Sequence, residues 1–258
     1  AEAVRLSQKT GGPVKVMWSR EEDLATDYYR PASLNRMRAG LDKDGNLVAW
    51  SNRIVGPDQM TWQLPFLLPS IMPYWLPRGF RNLSRWAARN VLDGVVAGRG
   101  VGEGAAPLYY QAPNVLVDYV RHDPGVPCGF WRGVGNTANA FVVECFLDEV
   151  AQEAGRDPVP WRLELLEQRP RLAKALQTAV EGLAAGAGPG PGKSFGFASH
   201  GFHDTCVGMG AEVSLEKGGV KVHRLVAAVD AGLVINPRIV RDQVAGAAAF
   251  GLSAALKG

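Results

Sequence analysis

The spacing of apolar and polar positions divides the chain into short alternating runs early on and interleaved helices and strands later. SLNRMRAGL (33–41) and NLVAWSNRIV (46–55) flank Asp42 to Asn46, and the Asp44–Gly45 step supplies the positive φ that a tight hairpin needs, so 33–41 and 47–55 are expected to pair. GAEVSLEKGGVKVHRLVAAVD (210–230) reads as a second hairpin turning at Gly218–Gly219, and PVKVMW (13–18) and NVLVDYV (114–120) as further strands. From Ala138 to Ala154, Val142, Phe146 and Val150 form one stripe and Glu144, Asp148 and Gln152 the other, the period of an amphipathic helix. This pattern places the acids on a solvated face rather than in a catalytic pair.

Two stretches break these patterns. Residues 57–113 hold five prolines between Pro57 and Pro77, together with Trp62, Trp75 and Trp86, and are expected to be a surface excursion with short helices. AAGAGPGPGKS (184–194) has the composition of a flexible connection. The last helix is well marked: Asn236 can cap it and Pro237 suits its first turn. Beyond that start, Gly246, Ala247, Ala248, Ala249 and Gly251 leave a nearly bare surface that either packs tightly on a sheet or admits a ligand close to the backbone, and Gln243 puts an amide beside it. The elements sum to an α+β fold with helices packed on mixed or antiparallel sheets.

Composition narrows the classes. With 47% hydrophobic and 21% charged residues, 258 residues bury a substantial core. The net charge of +3 arises from 28 basic and 25 acidic residues in mixed order, which argues against nucleic-acid binding. VAGAAAFGLSAAL (244–256) is too short to span a bilayer, which takes about 20 apolar residues. The chain opens without methionine on AEAVRLSQ, an uncapped helical segment, and stops just after another helix, so it is read as a fragment of a longer protein. Cys128, Cys145 and Cys206 are far apart with no CxxC pair, which excludes a cluster or structural zinc held by cysteines of this chain alone and favours buried thiols.

Several motifs are decoys. His200, His203 and Cys206 in HGFHDTC have ligand-like spacing without an obvious fourth ligand, and are assigned to polar surface rather than zinc. Gly100-Val101-Gly102-Glu103 is expected to be a solvated loop. No GxSxG elbow is present. GFWRGVGNTANAF (129–141) has the look of a phosphate loop but lacks both the Lys-Ser/Thr pair and the full GxGxxG spacing, so ordinary nucleotide binding fails and the purpose of Arg132 is left open.

Three blocks in order, SREEDLATDYYRPASLNRMRAGLDKDGNLVAW, VPCGFWRGVGNTANAFVVECFLDEVAQEAGRDPVPWRLELL and VDAGLVINPRIVRDQVAGAAAFGLSAAL, resemble the molybdenum-cofactor-binding subunit of the xanthine dehydrogenase and aldehyde oxidase family, nearest its isoquinoline 1-oxidoreductase branch, in the beta subunit. The resemblance implies that Phe130, Trp131, Arg132, Gly133 and Gln243 line molybdopterin and that Arg30 and Val134 lie on the substrate side. An ordinary strand-edge role for Arg30, paired with Asp23 or Asp27, stays equally open. Xanthine oxidases carry an aromatic at the position of Val134, so purine stacking is in doubt.

The resemblance further implies residues 1–126 and 127–258 as portions of two molybdopterin-binding subdomains. It implies hydroxylation of an aldehyde or N-heterocycle with water as the oxygen source, and electrons leaving through iron–sulfur clusters on a partner subunit. None of the residues here takes a catalytic or metal-ligating role: the family's glutamate is expected beyond Gly258 and its upstream glycine motif before Ala1. A non-catalytic binding or assembly module that retains the fold is the alternative.

Overall fold

The computed structural model describes residues 2–91, 98, 100–185 and 188–257. Two short helices come first, α1 (Glu2–Thr10) and α2 (Arg20–Thr26). Ser19 and Glu22 close a capping box at the start of α2, each satisfying the other's backbone N–H. PVKVMW, expected as a strand, is instead extended chain outside any sheet. Val14 and Val16 are half-buried while Lys15 and Met17 are exposed, so its alternation is real, but a strand also requires a hydrogen-bonded neighbour.

The first hairpin forms as expected, β1 (Leu34–Leu41) antiparallel to β2 (Leu47–Gly56). The Asp42 carboxylate accepts from the backbone N–H groups of Asp44 and Asn46, both at 2.9 Å, and Gly45 takes φ 78°. β3 (Asn114–Arg121) adds to β2 in parallel, giving a mixed sheet of order β1-β2-β3, and Arg53 and Asp118 pair across it, Nε to Oδ2 at 2.8 Å.

Between β2 and β3 the proline-rich region forms two 13-residue helices, α3 (Gln59–Ile71) and α4 (Arg78–Asn90), longer than its breakers suggest. Pro65 and Pro69, four apart, share one buried face of α3, so the ladder positions they cost fall on one side of the helix. Asp58 caps this helix, accepting from Met60 N–H at 2.9 Å.

The second half contains α5 (Gly135–Glu153), α6 (Pro158–Leu165), α7 (Pro170–Ala184), the antiparallel sheet β4 (Lys193–Phe202), β5 (Thr205–Glu216) and β6 (Gly219–Asp230), and α8 (Pro237–Leu256). The β5–β6 turn centres on Lys217 and Gly218, one residue earlier than expected, because Glu216 pairs with Gly219. The α7 helix lies directly on this sheet: a Cβ on Gly208 would meet the Ala175 carbonyl oxygen at 2.3 Å, so only glycine permits that approach. One apolar core joins Trp50 of β2 to Leu147 of α5, Trp161 of α6 and Leu176 of α7. The architecture is the expected α+β one.

The helix expected at 138–154 is present, but Glu144 is not on a solvated face. It is buried, and the fully buried Arg162 of α6 reaches its Oε2 at 3.2 Å. The thiols also differ from expectation: Cys128 is buried, Cys206 partly so and Cys145 exposed. The α8 start follows the sequence closely, with Asn236 Oδ1 accepting from the N–H groups of Arg238 (3.0 Å) and Ile239 (3.3 Å). Asn236→Ala is expected to lower stability by about 1 kcal/mol, read as a shift in the urea midpoint, with an unchanged midpoint counting against the cap.

Candidate functional site

The segment joining β3 to α5 is shaped by its glycines. Gly133 takes φ 84°, and Thr137 Oγ1, which donates to the Arg132 carbonyl at 2.5 Å, sits where a Gly133 Cβ would be. Val134 has φ 50°, a conformation a β-branched residue adopts only under constraint. Gly135 opens α5 so close to the 100–103 loop that a Cβ would meet the Gly100 carbonyl oxygen at 2.2 Å. That helix start has no side-chain cap. The chain therefore holds Trp131 and Arg132 on a strained bend ahead of an uncapped helix N-terminus, where the helix dipole favours negative charge.

Gln243, 111 positions later, comes to the same place: Arg132 Nη2 donates to its Oε1 at 3.4 Å. Phe250, two turns further along α8, completes the contact, its ring centroid 5.0 Å from that of Trp131 and 5.8 Å from the Arg132 guanidinium carbon. Arg30 lies over the other ring system, its guanidinium carbon 5.5 Å from the Trp131 centroid. Arg30, Trp131, Phe250 and Arg132 thus form one continuous arrangement of cations and aromatic rings. Of the two readings of Arg30, the acid-paired one is not what forms: Asp23 pairs with Arg20, and Asp27 accepts from the Tyr28 N–H. Phe130, in the same segment, is half exposed.

The bare surface of α8 is open. Nothing lies within 4 Å of a Cβ built on Gly246 or Gly251, so among the described residues the helix is not packed on a sheet there.

Beside Trp131 is a cavity of about 30 Å³, the space of a single water, lined by Arg30, Gln59, Trp131, Val134, Thr137 and Asn139. Two polar atoms of residues lining it, Gln59 Oε1 and Trp131 Nε1, are buried without a hydrogen-bond partner among the described residues. Buried polar groups are rarely left so, which marks this as a place for a polar guest. Gln59 was not singled out from the sequence, where it looks like any amide at a helix start. Phe250 was also missed, although it follows Gln243 at i+7 and so shares its helix face.

The loop carrying Gly100, Val101, Gly102 and Glu103 is not solvated. Its residues are half-buried, and Asn139 Nδ2 donates to the carbonyls of Val101 (2.6 Å) and Glu103 (2.8 Å), fastening it over the start of α5. His200 takes part in the same packing: its Nε2 meets Asn136 Oδ1 at 2.9 Å and its ring stands edge-on to Tyr109 at 5.8 Å. Burial pulls the His200 imidazole below its ordinary range and keeps it neutral. His203 sits with Asp204 at the β4–β5 turn, both with positive φ as a two-residue primed hairpin requires. His203 serves the turn; no group of three metal-ligating side chains converges among the described residues.

Comparison with known proteins matches the chain to a family. Residues 1–59 and 161–257 match two family models, each described as Molybdopterin cofactor-binding domain, and together these cover more than half of the chain. The beta subunit of the isoquinoline 1-oxidoreductase of Brevundimonas diminuta is 28% identical over 99% of this chain and 30% of its own length. A subunit of the nicotinate dehydrogenase of Pseudomonas putida is 28% identical over 95% of the chain and 21% of its own length. The chain thus spans less than a third of these relatives. Among solved structures, the aldehyde oxidoreductase of Desulfovibrio desulfuricans aligns over 85% of this chain and 24% of its own, at 15% identity and a TM-score of 0.45. With both of its ends matched, the chain belongs to the molybdopterin cofactor-binding domain family.

Proposed function

We propose that the chain forms part of the molybdopterin pocket of a molybdenum hydroxylase subunit that oxidises aldehydes or N-heterocycles with water as the oxygen source. The observation that carries this reading is the meeting of Arg132 and Gln243 across 111 positions, where Phe250 of α8 also meets Trp131 and Arg132. The donor set suits the cofactor: a guanidinium fork and an amide, beside an uncapped helix start, favour an oxygen-rich anionic guest. When bound, the molybdenum centre supplies the oxygen-transfer and two-electron chemistry.

The chain's own residues bind and orient. Arg132 holds anionic oxygens through its fork, while one long bond to Gln243 keeps the fork aimed. Trp131 and Phe250 form an apolar wall beside that contact. On the substrate side, Arg30 presents a cation over Trp131, and Val134 offers a small aliphatic face in place of a stacking ring. In this reading residues 1–126 and 127–258 are portions of two molybdopterin-binding subdomains, and electrons leave to iron–sulfur clusters on a partner subunit. Both relatives are named as subunits, which supports assembly with partners.

The test is metal and pterin analysis of the complete subunit, with product analysis in isotopically labelled water. Stoichiometric molybdenum and pterin, with water oxygen in the product, are expected, and Gln243→Ala should lower the cofactor content. A folded complete subunit lacking both metal and pterin would overturn the reading in favour of a non-catalytic module.

A further inference from the structure

The chain passes from β2 into α3 through a run in which every residue from Gly56 to Gln59 is buried. The Gly56 carbonyl accepts from the His122 N–H at 2.8 Å and from Tyr119 Oη at 2.9 Å. The Asp58 carboxylate accepts from the N–H groups of Met60 (2.9 Å) and Gly98 (2.8 Å). These bonds fix Gln59, the first residue of α3, which is 7% exposed and whose Oε1 is buried without a partner among the described residues. Trp131 lines the same cavity of about 30 Å³, and its Nε1 is likewise buried and unpartnered. Its indole is held on other sides by Phe250, 5.0 Å between ring centroids, and by the Arg30 guanidinium, 5.5 Å from the ring centroid.

One buried donor and one buried acceptor on the wall of one cavity define the guest that settles both. It must accept a hydrogen bond from an indole N–H, which only donates, and give one to an amide oxygen, which only accepts. A carboxylate or a phosphate has no hydrogen for Gln59. An ammonium or a metal ion cannot accept from Trp131, and Arg30 on the cavity wall repels it. The space is that of one water, and a water with two polar partners meets the usual condition for a buried one. The walls belong to this chain: Ile54 and Gly56 of β2, Gln59 of α3, Trp131 and Val134 of the bend, and Asn139 of α5. Both polar atoms are therefore already out of bulk solvent without any further segment laid over them.

We infer that this cavity is a binding site for a single ordered water, with Trp131 Nε1–H donating to the water oxygen and the water donating one hydrogen to Gln59 Oε1. Gln59 thereby becomes a positioning residue: through the water it ties the start of α3 to the indole beside Arg132. Arg30 and Val134 border the same cavity, so in the cofactor reading proposed above the water lies at the substrate end of the pocket. The water site itself rests on the donor, the acceptor and the space, not on that reading.

The experiment is a crystal structure of the complete subunit at a resolution that shows ordered water, for the parent and for Gln59→Met and Trp131→Phe. The parent should show one water oxygen about 2.7–3.2 Å from both Trp131 Nε1 and Gln59 Oε1. That water should be lost from Gln59→Met, which removes the acceptor at similar volume, and from Trp131→Phe, which removes the donor. Circular dichroism checks that each variant is folded, and should either fail to fold, the parent density decides alone. The water is expected whether or not the subunit carries molybdenum and pterin, so its absence and the failure of the cofactor reading are separate results. An empty cavity in the parent would overturn the inference, as would a direct hydrogen bond between Gln59 and Trp131. So would a side chain, an ion or a cofactor atom standing in the water's place, or a water retained undiminished in folded Gln59→Met.

Discussion

Arg162→Met is expected to destabilise the protein by about 3–5 kcal/mol at neutral pH, the cost of leaving a buried carboxylate without its counter-charge. Arg162 is fully buried and spends its fork on α5: Nε reaches Glu144 Oε2 at 3.2 Å, Nη1 reaches Asp148 Oδ1 at 2.6 Å, and Nη2 donates to the Glu144 carbonyl at 2.7 Å. Glu144 is itself a hub, accepting from Tyr110 Oη at 2.7 Å and from the Ser199 N–H at 3.0 Å, so it ties β4 and the strand-leading loop to α5. Methionine fills a similar volume and leaves these bonds to an uncompensated charge. Chemical denaturation measures the loss, and Glu144→Gln combined with Arg162→Met should recover part of it because no charge then stays buried. A loss below about 1 kcal/mol would mean that the network carries little of the fold's stability.

The same variant should depend on pH in a particular direction. Burial pushes the Glu144 carboxyl up, with Arg162 opposing that rise, so removing Arg162 raises it further. A carboxyl whose folded value lies above its unfolded value of about 4.3 favours the folded state most when protonated, and that contribution is lost as pH rises through the folded value. The gap in thermal midpoint between Arg162→Met and the parent should therefore be small in acid and widen toward neutral pH. A gap independent of pH would contradict a charged Glu144 as the cause.

Sequence revealed the features that are decided locally. The β1–β2 hairpin follows from alternation and an Asp-Gly step, and the α8 cap from Asn236-Pro237, because in each case the interacting groups lie within a few residues. What depended on distant partners was not legible. PVKVMW has the right alternation but no neighbouring strand, while NVLVDYV found one whose parallel direction only the path through α3 and α4 determines. Glu144 has the helical position of a surface acid, and its partner lies 18 residues on. The signal that could have found it is Arg162 itself, a charge set between the apolar Trp161 and Leu163 of α6. In the site, the glycines around Arg132 marked a close approach, but the convergence with Gln243 came from family resemblance, since no local pattern links positions 111 apart.

That convergence sets the sharpest test of the cofactor reading. Arg132→Lys in the complete subunit keeps the charge and loses the fork, so cofactor retention is expected to weaken by about 1–3 kcal/mol, the value of a charge-assisted contact. Lysine presents three donors at a single nitrogen, and cannot hold Gln243 and an anionic oxygen in the fixed plane that a guanidinium offers. The cation–ring contact with Phe250, 5.8 Å from guanidinium carbon to ring centroid, would change as well, because an ammonium is a point charge where the guanidinium is planar and delocalised. The assay is molybdenum and pterin per purified subunit, with Arg53→Lys as the comparison: Arg53 lies on the first sheet, bound to Asp118, and its substitution should leave cofactor content alone. Full cofactor and full activity in Arg132→Lys would show that Arg132 serves only to hold α8 through Gln243, and the cofactor-pocket reading would have to be abandoned. Loss of cofactor in Arg132→Lys with an unchanged denaturation midpoint would instead place the effect in binding rather than in folding, which is the outcome that the exposed, solvent-facing guanidinium leads us to expect.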